Sequence, residues 1–203
     1  MLEIIIATKN KGKIKEFYKY AEQYDFEARF ISMEEVGVNI DVVEDGETFI
    51  DNALKKAVEI GKLTGKITMA DDSGLAIDFM DGGPGVYSAR FLGEDTSSEY
   101  KNNHIIDLMK DVPQEERGAR FVSAIATYMP DGTKFTNEAY MEGKIATEPK
   151  GENGFGYDPI FMANDGNGKT NGQLSLDEKT SISHRGKALK VAIKELKEYL
   201  NGN

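Results

Sequence analysis

An isoleucine-rich run from Glu3 to Ala7 passes almost at once into a helical pattern. That change of period restricts the fold more than any other feature of the chain. The first stretch reads as a buried strand. From Lys11 to about Tyr24 the apolar residues Ile14, Phe17, Tyr18 and Ala21 recur at i, i+3, i+4 and i+7, which is one face of a helix. A strand that hands over to an amphipathic helix through a short polar loop needs a sheet with helices packed on it. The expected class is therefore α/β or α+β with a mixed sheet.

The rest of the chain extends this reading. Val36 to Asp45 reads as a loop or short strand ending in acids. Thr48 to about Leu63 reads as a helix with Phe49, Ile50, Ala53, Leu54, Ala57 and Ile60 on its apolar face, weakened near its end by Gly61 and Gly65. Ile67 to Ala70 reads as a short strand, Asp71 to Gly74 as a polar loop, and Leu75 to Met80 as another strand. Thr96-Ser97-Ser98-Glu99 fits a capping box, with a helix to about Lys110. Arg120–Tyr128 and Lys134–Ile145 read as two strands around a hairpin turn at Met129–Thr133. Gly151 to Gly172 is too rich in glycine for a long element and leaves room for a short strand near Phe161. Ser183 can cap a last helix running to about Leu200. Repeats and linkers are absent, so residues 1–203 are expected to form a single domain, with the central hairpin as its own lobe and a cleft between lobes.

Composition narrows the function. The 203 residues are 39% hydrophobic and 30% charged, which suits a globular protein with a large wetted surface. No apolar run approaches the roughly 18 residues that span a membrane, and the short N-terminal run lacks the basic stretch of a signal peptide. Cysteine is absent, which excludes disulfides and thiolate metal sites. The expectation is a cytoplasmic protein with no membrane partner. A formal net charge of −10 argues against nucleic-acid binding. A polyanionic ligand would need clustered cations and a divalent metal, so the placement of Lys and Arg matters more than their number.

Four polar clusters carry the chemistry, each beside an element boundary. Lys9, Lys11, Lys13 and Lys15 surround Gly12 where a helix begins. Helix N-termini attract phosphate, and cations there oppose the helix dipole unless an anion is shared. Asp71-Asp72 are adjacent carboxylates that repel unless a cation or hydrogen bond relieves them. Glu44, Asp45 and Glu47 form a second acidic group. In Gly154-Phe155-Gly156-Tyr157-Asp158-Pro159, glycines on both sides of Phe155 leave a ring that can stack on a base, worth ~1–3 kcal/mol. Ser183-His184-Arg185-Gly186 opens a helix with cations, and Arg185 offers a planar donor fork. Taken singly, each has a plainer counterpart: a solvated basic turn, an Asx turn, favourable helix-terminal charge, a rigid turn, a surface histidine. Gly168-Lys169-Thr170 imitates the end of a P-loop, but Ala163 stands where the first glycine belongs.

Together the clusters resemble the inosine/xanthosine triphosphate pyrophosphatase family. The matching stretches are Ala7–Lys13 with Glu16, Glu44–Phe49 with Asn52-Ala53, Ala70–Leu75, Pro84–Arg90, Gly154–Phe161 and Ser183–Gly186, so the likeness runs through nearly the whole chain. It implies an elongated α/β fold of two lobes around a central cleft, a homodimer, and Mg²⁺-dependent cleavage of a purine nucleoside triphosphate between the α and β phosphates. By the same resemblance Asp72 is catalytic and a metal ligand, with Glu44 as the other metal ligand. Thr8, Lys9, Asn10, Lys11, Gly12 and Lys13 contact the triphosphate, and Ser73 lies at the substrate. Phe155 stacks on the base, with Gly156, Tyr157, Asp158, Lys179, His184 and Arg185 completing the nucleoside pocket. The chain departs from the pattern at Lys9, where many relatives carry glycine.

The implied mechanism has water, oriented by Asp72, attacking phosphorus while Lys13 steadies the leaving pyrophosphate; Asp71 is expected to orient Asp72. Selectivity is expected from the purine 6-position, where a carbonyl accepts from Arg185 or His184 and an amino group would meet donor with donor. Two alternatives stand beside this reading. One is a pyrophosphatase of related fold acting on modified pyrimidine or other nucleotides. The other is a nucleotide sensor without turnover.

Overall fold

A computed structural model of the chain describes residues 2–24 and 26–202. Six strands, β1 (Leu2–Ile6), β2 (Ala28–Ser32), β3 (Ile67–Ile77), β4 (Gly118–Tyr128), β5 (Lys134–Ile145) and β6 (Phe161–Ala163), form one sheet in the order β2-β1-β3-β4-β5-β6. The sheet is mixed: β1 runs parallel to both β2 and β3, and β5 pairs antiparallel with β6. Among the described residues five α-helices accompany it: α1 (Lys11–Gln23), α2 (Phe49–Thr64), α3 (Ser98–Leu108), α4 (Leu176–Ile182) and α5 (His184–Leu200). The α/β class expected from the sequence is the class observed.

The chain gathers into two compact units. The first comprises Met1–Asp72, Ser123–Ala139 and Arg185–Asn203; the second comprises Ser73–Val122 and Tyr140–His184. In the first unit, alternation along β1 explains its unbroken apolar run. Ile4 and Ile6 join a core with Phe17, Tyr20, Met69, Leu189 and Leu196, so α1 and α5 cover one face. Ile5 and Ala7 join Ala53, Ala57, Ile60 and Tyr128, so α2 covers the other. A parallel strand covered on both faces has no polar side to show. Gly61 has a packing reason: a Cβ there would lie 2.2 Å from the Tyr128 ring, so only glycine lets α2 approach β4 this closely. The second unit has its own core, in which Leu75, Ile77, Ile105, Phe121, Ile160 and Phe161 meet.

Several expectations are corrected. Asp71–Gly74 is not a loop between two strands but the middle of the 11-residue β3. The expected capping box at Thr96 is a simple cap, with Ser97 accepting from the Tyr100 amide. Strand β2 and helix α4 were not foreseen; α4 begins at a Ser175 capping box shared with Glu178.

Candidate active site

The basic loop leads from β1 into α1 and is shaped by its own side chains. Asn10 caps the helix, its Oδ1 accepting from the Gly12 amide at 2.9 Å and the Lys13 amide at 3.2 Å. Thr8 Oγ1 accepts from the Asn10 amide. The amides that the sequence offers to a phosphate are thus partly held by Asn10. Lys11 is exposed, and Lys9 pairs with exposed Asp41 at 2.7 Å. Lys13 turns inward, its Nζ 2.7 Å from Asp71 Oδ2.

Because successive strand residues point to opposite faces, β3 sends Asp71 and Asp72 into different surroundings. Asp71 is fully buried and is the anion of a cationic cluster. Its carboxylate accepts from Ser123 Oγ at 2.5 Å, pairs with Lys13, and receives Arg185 Nη2 at 3.3 Å. Arg185 also grips buried Glu16. The guanidinium fork assigned to the base from sequence is therefore turned onto two carboxylates of the first unit. Asp71 takes up cations where the sequence suggested that it would orient Asp72.

Asp72 stands in a second cluster. Its Oδ2 accepts from Asn52 Nδ2 at 3.3 Å and its Oδ1 from Lys56 Nζ at 3.0 Å. The same ammonium donates to Glu44 Oε1 at 2.6 Å and to the Asp71 carbonyl at 3.0 Å. Lys56 was missed from sequence, and Asn52, though part of a matching stretch, was given no role. Their signal was present: two polar residues at i and i+4, both buried on α2 beside Ala53 and Ala57.

The electrostatics follow from burial and pairing. Burial pushes the Asp71 carboxyl upward, but the charges of Arg185 and Lys13 and the Ser123 hydroxyl outweigh it and hold it well below the usual carboxylate range. Burial lowers the Lys13 ammonium, helped by Lys56 and Arg185 and opposed by Asp71. Burial also raises Asp72, with Glu44 adding to the rise and Lys56 and Lys13 opposing it. Lys56 is pulled down by burial yet ends above its ordinary value because Asp72 and Glu44 favour its charge.

Glu44 and Asp72 converge on one cation position, now taken by the Lys56 ammonium. Their oxygens suit a hard divalent cation. Among the described residues no group of three or more acidic or histidine ligands gathers.

In the second unit Asp158 organises the aromatic loop. It is 2% exposed, and it accepts from the Phe155 amide at 2.8 Å, Lys179 Nζ at 2.7 Å and Asn171 Nδ2 at 3.2 Å. Gly154, at φ +76°, is required here: a Cβ would fall 2.1 Å from Asp158 Oδ2. Lys179 Nζ also lies 4.9 Å from the centre of the Phe155 ring. Phe155 is half-buried, while the Tyr157 side chain is buried with its hydroxyl donating to the Ser88 carbonyl at 2.8 Å. His184 stacks on Phe121, the ring centres 5.0 Å apart. Ser73, half-buried on β3, directly follows Asp72. The chain thus owns a charge-dense cluster of lysines and carboxylates in one unit, and an aromatic loop with anchored donors in the other.

Comparisons with known proteins identify a family. A model of the Ham1 family matches residues 4–195. A dITP/XTP pyrophosphatase of Desulforamulus reducens is 44% identical over 195 residues, covering 96% of each chain. The dITP/XTP pyrophosphatase of Bacillus subtilis is 44% identical over 196 residues, covering 97% of this chain and 98% of that one. Among solved structures, a HAM1 protein from Coxiella burnetii superposes with a TM-score of 0.85 at 37% identity, over 98% of this chain and all of the other. The Staphylococcus aureus Ham1 protein gives 0.84 at 36%, over 97% of this chain and 99% of that one.

Proposed function

The chain belongs to the Ham1 family, and from that premise we propose that it hydrolyses dITP, XTP and ITP to the monophosphate and pyrophosphate, keeping deaminated purines out of the nucleotide pool. The observation that carries the chemistry is the sharing of one buried ammonium, Lys56, by Glu44 and Asp72, beside a second buried ammonium, Lys13.

Glu44 and Asp72 would hold Mg²⁺, which supplies charge neutralisation to the phosphates when bound. Asp72 orients the attacking water and accepts its proton. Lys13 and Lys56 stabilise negative charge on the phosphate oxygens and on the departing pyrophosphate, and stabilising that charge is the main demand of phosphoryl transfer. Asp71, held by Ser123 and Arg185, fixes Lys13 from behind, so Arg185 serves the phosphate end through Asp71. Thr8, Lys9, Asn10, Lys11 and Gly12 complete the triphosphate contacts. In the second unit Phe155 stacks on the base, and Lys179 and His184 supply donors to the purine 6-carbonyl. An adenine amino group there would leave buried donors facing a donor, at ~1–3 kcal/mol for each mismatch. The protein is proposed to work in the cytoplasm as a homodimer. Among the described residues no helix is long and apolar enough to cross a membrane.

The test is pyrophosphate release from dITP, XTP, ITP, ATP and GTP, each with and without Mg²⁺. Metal-dependent release from the first three and little from ATP or GTP is expected. Equal release from all five would remove the base-reading assignment, and tight binding without release would make the protein a sensor.

A further inference from the structure

The loop that presents Phe155 is held both from within and from outside. Gly154 and Gly156 flank the ring at φ +76° and +62°, and neither belongs to a helix or strand. From within, Asp158 takes the Phe155 amide. From outside, Asn102 Nδ2 donates to the Gly156 carbonyl at 3.0 Å, and the Tyr157 hydroxyl reaches the Ser88 carbonyl. Asn102 belongs to α3, outside every cluster that the sequence singles out.

Asn102 is an unusual choice for a purely structural position. It is 3% exposed, and its Oδ1 is buried with no hydrogen-bond partner among the described residues. A buried amide satisfied at one end costs stability that an apolar side chain of similar shape would not. What it supplies in return is one directed bond to the peptide next to Phe155. Its neighbour Lys101, also buried, donates to the Ala89 carbonyl at 2.6 Å. Adjacent residues of α3 thereby fix two segments, Gly85–Arg90 and the aromatic loop, and the Tyr157–Ser88 bond ties those segments to each other. Ser88 in turn accepts from the Leu75 amide at 2.9 Å, on the strand that carries Asp72.

We propose that Asn102 is a positioning residue for base recognition: its bond to the Gly156 carbonyl sets the orientation of the aromatic loop and hence the plane of the Phe155 ring. This rests on the reading that Phe155 stacks on the base. Asn102 acts through the Gly156 carbonyl, so its effect falls on binding of the nucleoside and not on the chemistry of the phosphates.

The experiment compares Asn102→Ala, Asn102→Asp and Phe155→Ala with the parent enzyme in Mg²⁺. Asn102→Asp keeps the side-chain shape but replaces the donor facing Gly156 with an acceptor. Steady-state constants are measured for dITP, XTP and dATP, with competitive inhibition by pyrophosphate, which engages the phosphate end alone. Both Asn102 variants should raise KM for dITP and XTP by about threefold to tenfold, the worth of one hydrogen bond. Their kcat and pyrophosphate inhibition should stay near parent values, and their discrimination against dATP should fall. A raised KM in Phe155→Ala beside parent-like constants in both Asn102 variants would overturn this inference and leave the stacking reading standing. An unchanged KM in Phe155→Ala would overturn both. Loss of kcat and of pyrophosphate inhibition in the two Asn102 variants would show a general structural role and overturn the inference as well.

Discussion

Asp71→Asn removes one charge from a densely paired, fully buried point of the first unit. Lys13 Nζ sits 2.7 Å from the carboxylate, with side-chain exposures of 13% and 0%, so solvent screens the pair little. At an effective dielectric of about 20, such a pair attracts by about 6 kcal/mol. Most of that offsets the cost of burying both charges, and removing one partner of a buried pair typically costs about 3–5 kcal/mol. The asparagine can keep its oxygen toward Lys13 and Arg185 and turn its N–H toward Ser123, whose hydroxyl can accept, so the loss is chiefly that of the charge. For a chain of this size the loss corresponds to a fall in Tm of about 6–20 °C near neutral pH. The effect should depend on acidity in a defined sense. The folded-state pKa of Asp71 is depressed, so its stabilisation is complete above the unfolded value of about 3.9 and is lost as pH falls through the lower folded value. Denaturant unfolding of parent and variant from pH 7 down to acid should show a gap that is constant to about pH 4 and narrows below it. With Lys13 no longer held, turnover of dITP should drop about 10²-fold. A variant within about 1 kcal/mol of the parent across that range would refute the buried-pair account.

Three further outcomes are expected. Lys56→Met leaves Glu44 and Asp72 without their shared ammonium, so the variant should be less stable by about 3 kcal/mol without metal and should gain more Tm from added Mg²⁺ than the parent does; equal gains would count against a metal held by these two residues. Arg185→Lys should cut kcat for dITP, XTP and ITP alike, because its fork holds Asp71 and Glu16; an altered ratio of ITP to ATP turnover at unchanged kcat would return Arg185 to the base. Gly154→Ala must place a Cβ against Asp158 at a left-handed φ, so a higher KM and a loss of about 1–3 kcal/mol are expected by calorimetry and kinetics, and a neutral result would show that this loop tolerates movement.

How far the sequence could be read depended on whether a residue's surroundings are local. The opening strand and helix were legible because Ile4 to Ile6 and Ile14, Phe17 and Ala21 carry their period within a few neighbours. The reading of Asp71–Gly74 as a loop failed for a reason that is itself informative. Two acids, a serine and a glycine ordinarily break a strand, and here β3 continues because Ser123, Lys13, Arg185, Asn52 and Lys56 satisfy both carboxylates from distant parts of the chain. Local propensity was overruled by partners 16 to 114 residues away in sequence, which no periodicity reveals; Arg185 alone lies 114 positions from Asp71. The same limit separates the two outcomes for Arg185 and Lys56. The sequence marks Arg185 as a functional cation, but its direction is fixed by Glu16 and Asp71. Lys56 stood unremarked beside an apolar helix face because its meaning lies in Glu44 and Asp72. A site built on neutralising a polyanion is made of such distant charge pairs. Its composition shows in the sequence before its wiring does, and the wiring decides which cation serves the phosphates and which only holds another in place.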